Sequence, residues 1–217
     1  MNGTTTAQLA EKTAKAVTGS VEEWTGFLQS AARLYKYSYP EQLLIYAQRP
    51  DATACASYEI WNQTMRRYVR RGARGIALLD GAGAVRYVFD VADTGARKSS
   101  REIKTWVLDE NNREAVAHAL ETQYGSAAKL GIAGQLEEIA MQQSMDYWQW
   151  HQDELRGIVD GSFLEGYDEL NLEIAFRNTA AASVKYMLLS RCNLAREYQI
   201  EPEELAGVLE WNTSAAS

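Results

Sequence analysis

The segment 75–91, "GIALLDGAGAVRYVFDV", decides the fold class. Two runs rich in branched and aromatic residues, "GIALL" and "VRYVFDV", flank the linker Asp80-Gly81-Ala82-Gly83. Such residues suit a pleated surface, and an Asp-Gly linker supplies the backbone reversal of a tight turn. The stretch therefore predicts an antiparallel hairpin. Just upstream, "RRYV" alternates and reads as another strand, with Gly72 and Gly75 offering turn conformations. Downstream, "TGARKSSREIK" is a polar loop, and "TWVLD" predicts one more short strand.

The rest of the chain reads as helix, apart from residues 1–19, a Thr- and Ala-rich stretch expected to be a frayed arm. Ser20 followed by Glu23 has the spacing of a capping box, in which two otherwise unpaired amides are satisfied reciprocally. Trp24, Phe27, Leu28, Ala31, Leu34 and Tyr35 then recur at the helical period. A second helix starts at Pro40 and ends at Pro50, and Ser57 is the expected N-cap of "YEIWNQTM", whose Tyr58, Trp61 and Met65 share a face. After Asp109 come "DENNREAVAHALETQYG", two or three helices over 132–192, and a last helix from Pro202. Leu172, Phe176, Ala180, Val184, Met187 and Leu188 are expected to form one buried face.

The order helices, hairpin-built sheet, helices predicts an α+β fold, mostly helical with a small antiparallel sheet in the central region. The expected organisation is an arm at 1–19, a basic α+β lobe at 20–108 and an acidic helical lobe at 109–217, the two lobes packed as one unit.

With 217 residues and 46% hydrophobic content the chain can bury a sizeable core. The N-terminus lacks the apolar run of a signal peptide, and no segment approaches the roughly 20 apolar residues of a membrane span. Cys55 and Cys192 are far apart and read as small buried hydrophobes of a reduced, cytoplasmic protein. The net charge of -7 hides a division. Residues 33–104 carry 13 Lys+Arg against 7 Asp+Glu, whereas 105–217 carry 7 against 19. That asymmetry fits a basic face for an anion beside an acidic, solubilising remainder; uneven surface composition is the plainer alternative.

Motifs for catalysis are missing. "GARGIALLDGAG" lacks the lysine of a phosphate-binding loop, no HExxH occurs, and His118 and His151 stand singly on expected helices. Neither cysteine has a base nearby in sequence. The expectation is a protein that is not an enzyme and needs no metal or cofactor.

The basic segment is the remaining signal. Read as a strand, "RRYVRR" places Arg66, Tyr68 and Arg70 on one face and Arg67, Val69 and Arg71 on the other, with Arg74 in the turn that follows. Guanidinium groups interleaved with an aromatic ring suit single-stranded nucleic acid: the cations hold phosphates while the ring stacks on a base. Trp61 is a second possible platform, and Arg86 and Tyr87 on the neighbouring strand, with Arg97, Lys98, Arg101 and Lys104, extend the surface. The alternative is that the arginines solvate a sheet edge while Tyr68 and Tyr87 sit in the core.

At these residues "RYVRRGARGIALL" resembles the motif hydrophobic–basic–basic–Gly–x–basic–Gly–apolar in the N-terminal domain of ArdC-type antirestriction proteins, matched by Val69, Arg70, Arg71, Gly72, Arg74 and Gly75. The upstream "YPEQLLIYAQRPDATACASYEIWNQ" is similar to the N-terminal region of very large proteins of integrative conjugative elements. The resemblance covers roughly 20–212 and implies single-stranded DNA binding, with helicase or DNA-methyltransferase regions downstream. The abrupt ending at Ser217 fits a domain excised from such a protein. The ArdC-type peptidase activity is not implied, because its HExxH is missing, and the acidic half has no counterpart in the short ArdC module.

Three readings follow. The first is a non-enzymatic single-stranded-DNA-binding module of a mobile-element protein. Its phosphate contacts are Arg66, Arg67, Arg70, Arg71 and Arg74, and Gly72 and Gly75 allow a tight turn and close backbone approach. The second is a protein-interaction or DNA-mimic module that uses the acidic half. The third is a lobe that only positions catalytic regions of a larger protein.

Overall fold

The computed structural model describes residues 2–195, 198 and 200–212, with the Pro202 side chain excluded. The ending at 213–217 therefore lies outside the described residues. The chain divides into two compact units: unit 1 is Met1–Val17 with Gln29–Trp106, and unit 2 is Thr18–Leu28 with Val107–Ser217. Residues 18–28 thus group with the acidic half, not with the basic lobe.

Unit 1 begins with a helix where a frayed arm was expected: α1 spans Gly3–Val17. Thr6, Thr13 and Val17 form its buried stripe, and small polar residues gave little hydrophobic signal in the sequence. Two of them are satisfied within the helix, since Thr13 Oγ1 donates to the Leu9 carbonyl at 2.6 Å and Thr6 Oγ1 to that of Asn2 at 2.8 Å. Helix α2, Val21–Arg33, is capped as expected at Ser20, whose Oγ accepts the Glu23 amide at 3.2 Å. Helix α3, Tyr39–Gln48, starts where Pro40 predicted, and the Glu41 carboxylate accepts both the amide and the hydroxyl of Ser38 at 3.0 Å.

The predicted hairpin is present. Strand β3, Ile76–Leu79, pairs antiparallel with β4, Val85–Asp90, in the register Ile76↔Val88 and Leu79↔Val85. Its turn is held by Asp80, whose Oδ1 accepts the amides of Ala82 and Ala84 at 2.9 and 2.8 Å, and Gly83 has φ +78°. Strand β1, Cys55–Ser57, adds to the other side of β4, giving the order β1-β4-β3. One face of this sheet carries Ile76, Leu78 and Val88 into a core with Leu34, Leu44, Ile45 and Ala52. The "TWVLD" segment forms no strand; residues 105–109 are irregular. Only five residues long and flanked by loops, it finds no sheet edge to pair with.

Unit 2 is helical. Helices α4 (Arg113–Tyr124), α5 (Gly131–Gly157) and α6 (Glu169–Arg191) are followed by the short α7 (Pro202–Leu205) and a 3-10 segment, Ala206–Trp211. Gly125, at φ +74°, ends α4, and the Asp168 side chain caps α6 by accepting the Asn171 amide at 2.9 Å. One core gathers Leu108, Ile132, Leu136 and Leu189, and another Trp148, Leu155, Leu164 and Leu172. The buried line of α6 runs through Leu172, Ala182, Ser183, Tyr186 and Leu189, so the expected positions Val184, Met187 and Leu188 are only half-buried. Small residues at 180–183 hid the true stripe, because Ala and Ser carry little apolar weight in a periodicity count. The architecture is α+β, mostly helical, with a small antiparallel sheet.

Candidate nucleic-acid interface

The basic stretch is shaped by how unit 1 handles Trp61. After Ser57 the chain makes a wide helical turn, Ile60–Thr64, that points Trp61 inward. Trp61 is 3% exposed and its indole N–H donates to the Phe89 carbonyl at 2.8 Å. Trp61 is therefore core and cannot stack on a base, a correction with a simple cause: a large ring with one polar atom buries well when that atom is satisfied.

Leaving that turn, the Arg67 amide donates to the Trp61 carbonyl at 2.8 Å, and Arg66 sits at φ +55°. A left-handed arginine costs about 1 kcal/mol or more and persists only where neighbours impose it. Here Ser100 Oγ donates to the Arg66 carbonyl at 2.8 Å, and the Arg101 amide to that of Met65 at 2.9 Å. The expected six-residue strand "RRYVRR" shortens accordingly to β2, Tyr68–Val69, paired with β5, Thr94–Gly95. Strand alternation thus covers Tyr68 and Val69 alone, and the arginines around them are set by turns.

Each predicted residue can now be placed. Tyr68 is opposite Gly95 and 41% exposed; the end of its ring passes over Gly95, where any Cβ would collide with it. The Arg97 guanidinium lies over the same ring, 5.5 Å from its centroid, within cation–π range. Arg67 is half-buried and turned inward, its Nε donating to Thr94 Oγ1 at 2.7 Å, so it braces the β2–β5 ribbon. Arg70 is exposed but tied to the backbone, donating from Nη1 to the Ala92 carbonyl at 3.1 Å. Arg71 and Gly72 form the tip of a turn closed by the Ala73 amide on the Arg70 carbonyl at 3.1 Å. Gly72 has φ +85° at its third position, which is where a type II turn requires glycine.

Gly75 serves close approach, not turning: a Cβ there would fall 3.0 Å from the Tyr87 ring and 3.3 Å from that of Phe89. Tyr87 is 47% exposed. Arg86, its neighbour along β4, necessarily faces the other way and forms an ion pair with Glu41 of α3. Arg86 therefore does not extend a surface with Tyr87. Burial pushes the Glu41 carboxyl up, but the Ser38 amide and the Arg86 guanidinium outweigh it and hold Glu41 below the ordinary glutamate range.

Arg74, Gly75 and Ile76 also line a shallow cleft of about 530 Å³ with Gln48, Arg49, Pro50 and Asp51. Arg49 is neutralised there by Asp93 at 2.6 Å and Asp51 at 3.6 Å. Among the described residues, Arg66, Arg71, Arg74, Lys98, Arg101 and Lys104 are exposed and make no ion pair. The edge of β3 is covered by a different residue: the Gln48 amide donates to the Ala77 carbonyl and accepts its N–H, both at 2.9 Å. The part of the edge-protection alternative that put both tyrosines in the core does not hold, since Tyr68 and Tyr87 are exposed.

Sequence reasoning missed Gln48, Thr94, Gly95 and Ser100, which act on residues 66–77 from 27 or more positions away. Their signal is tertiary; a Gly beside a Thr says nothing of the tyrosine it will underlie.

Cys55 and Asp90 lie beside each other in unit 1. Burial, with Asp90 at 3.9 Å from its sulfur, pushes the Cys55 thiol up to about 12. Asp90 itself is buried and accepts the amides of Thr53, Ala54 and Ala92 at 2.8–3.0 Å, a structural role. Among the described residues no three His, Cys, Asp or Glu side chains are placed to share a metal ion, and no helix is long and apolar enough to cross a membrane. Comparison of the chain with protein-family models, with curated proteins and with solved structures finds no match in any of the three.

Proposed function

We propose that unit 1 is a single-stranded-DNA-binding module, without catalysis of its own, from a cytoplasmic mobile-element protein of the ArdC-like kind. In this reading it works beside helicase or methyltransferase regions of the same polypeptide. One observation carries the reading: the Tyr68 ring is 41% exposed with the Arg97 guanidinium 5.5 Å from its centroid, and Arg66, Arg71 and Arg74 of the same segment are exposed and make no ion pair among the described residues. The ring takes an unpaired base of any identity when the Arg97 guanidinium leaves its face for a phosphate, and the other exposed guanidinium groups of the segment take further phosphates. Arg66, Arg71 and Arg74 are the phosphate contacts, Arg97 and Arg101 extend them, and Arg67 positions the ribbon.

The test is a fluorescence-anisotropy titration of labelled single strand and of duplex at two salt concentrations. Wild type should prefer the single strand and weaken as salt rises. Arg71→Ala/Arg74→Ala should lose about tenfold or more in affinity and lower the salt slope by about 1–2. Absence of binding at low salt, or equal binding by the double variant, refutes the proposal.

A further inference from the structure

Unit 2 contains a groove of about 620 Å³ lined by α5, α6, α7 and the 3-10 segment. Its floor is small and apolar, formed by Ala175, Ala181, Ala182 and Ala206, with Met141 on one wall. Met141 is 56% exposed. Its flexible, polarisable thioether suits a surface that adapts to another chain.

The rim is carboxylate. Glu137, Glu203, Glu204 and Glu210 surround the floor, and Lys185 is the one cation among them. Lys185 Nζ bonds Glu137 at 2.8 Å and Glu204 at 3.4 Å. The groove therefore already seats one ammonium between two of its carboxylates. Glu203 and Glu210 are exposed and form no ion pair among the described residues. One resident cation against four carboxylates leaves the groove with a net charge of -3.

We propose that this groove is a docking site for a cationic amphipathic segment of a partner protein. Leucine-like side chains would rest against Met141 and the alanine floor, and two Lys or Arg side chains would pair with Glu203 and Glu210. Charge complementarity names the occupant: an acidic rim repels nucleic acid and acidic peptides, and the apolar floor rewards a side chain that a simple polycation lacks. This site is independent of the DNA reading for unit 1 and stands or falls separately.

The test is binding of the full chain to a fluorescein-labelled helical peptide bearing Arg at i and i+4 beside a leucine stripe. An oligolysine of equal charge serves as the comparison. The amphipathic peptide should bind about fivefold or more tightly than oligolysine, and Glu203→Gln/Glu210→Gln should weaken it about tenfold. Lys185→Gln frees two carboxylates and should tighten binding several-fold, an outcome that a misfolded variant could not produce. Equal binding of both peptides, no loss in the double variant, or weaker binding by Lys185→Gln overturns the proposal.

Discussion

The two units differ in what they do with charge. Unit 1 holds 15 Lys+Arg and 8 Asp+Glu, a net +7, whereas unit 2 holds 7 and 21, a net -14. In unit 2, Arg156, Arg177 and Lys185 pair with carboxylates on their own or neighbouring helices, and Arg113 pairs with Glu110 in the turn before α4. Long helices make this easy, because residues three or four apart share a face. In unit 1 the ion pairs of Arg49 and Arg86 lie against α3 and the sheet, while the cations of the short β2 ribbon, its turn and the 97–104 loop remain unpaired. Two-residue strands joined by turns offer no i, i+4 partner. The comparison teaches that unit 1 keeps its cations available, and that unit 2 leaves carboxylates in excess around a groove.

The largest expected effect separates core from surface within unit 1. Trp61→Ala should cost about 3–5 kcal/mol of stability, measured by urea unfolding. A variant of wild-type stability that had lost DNA affinity would return Trp61 to the interface. Next comes Tyr68→Ala, which should lower single-strand affinity by about 1–3 kcal/mol while Tyr68→Phe keeps it. Unchanged anisotropy in the alanine variant would leave unit 1 with charge alone. Gly72→Ala has room for its methyl but not the right backbone, so about 1–2 kcal/mol of stability should be lost. A thermal melt unmoved by that change would mean the turn at Arg71 relaxes freely.

The smallest effects are in pH, and they have opposite signs in the two units. Glu41 sits below its ordinary range, so its pairing contributes fully above the unfolded value of about 4.3 and is lost as pH falls through the folded value. For Lys185, burial works against the charged amine, but Glu137 and Glu204 outweigh it and raise it above the usual lysine range. That contribution is complete below about 10.4 and is lost as pH rises through the folded value. Stability profiles should therefore flatten at the acid end in Glu41→Gln and at the alkaline end in Lys185→Gln. The reverse assignment would show that these pairs do not govern either unit.

Local chemistry was legible wherever one short segment carried the whole instruction. Asp80 holds the amides of its own turn and Ser20 caps the helix it precedes, both within four residues. The same holds for the excess of positive charge before residue 105. The sequence determined by itself the α+β class and the hairpin, because hydrogen bonds between near neighbours need no knowledge of the rest of the chain. Only the tertiary structure decided that α1 is a packed helix and that Trp61 is core. It also decided that Arg86 answers to Glu41, and that Tyr68 lies between Gly95 and Arg97, 27 and 29 positions away. Those outcomes depend on which surfaces meet, and a side chain's neighbours across a fold leave no period or spacing in the sequence to read.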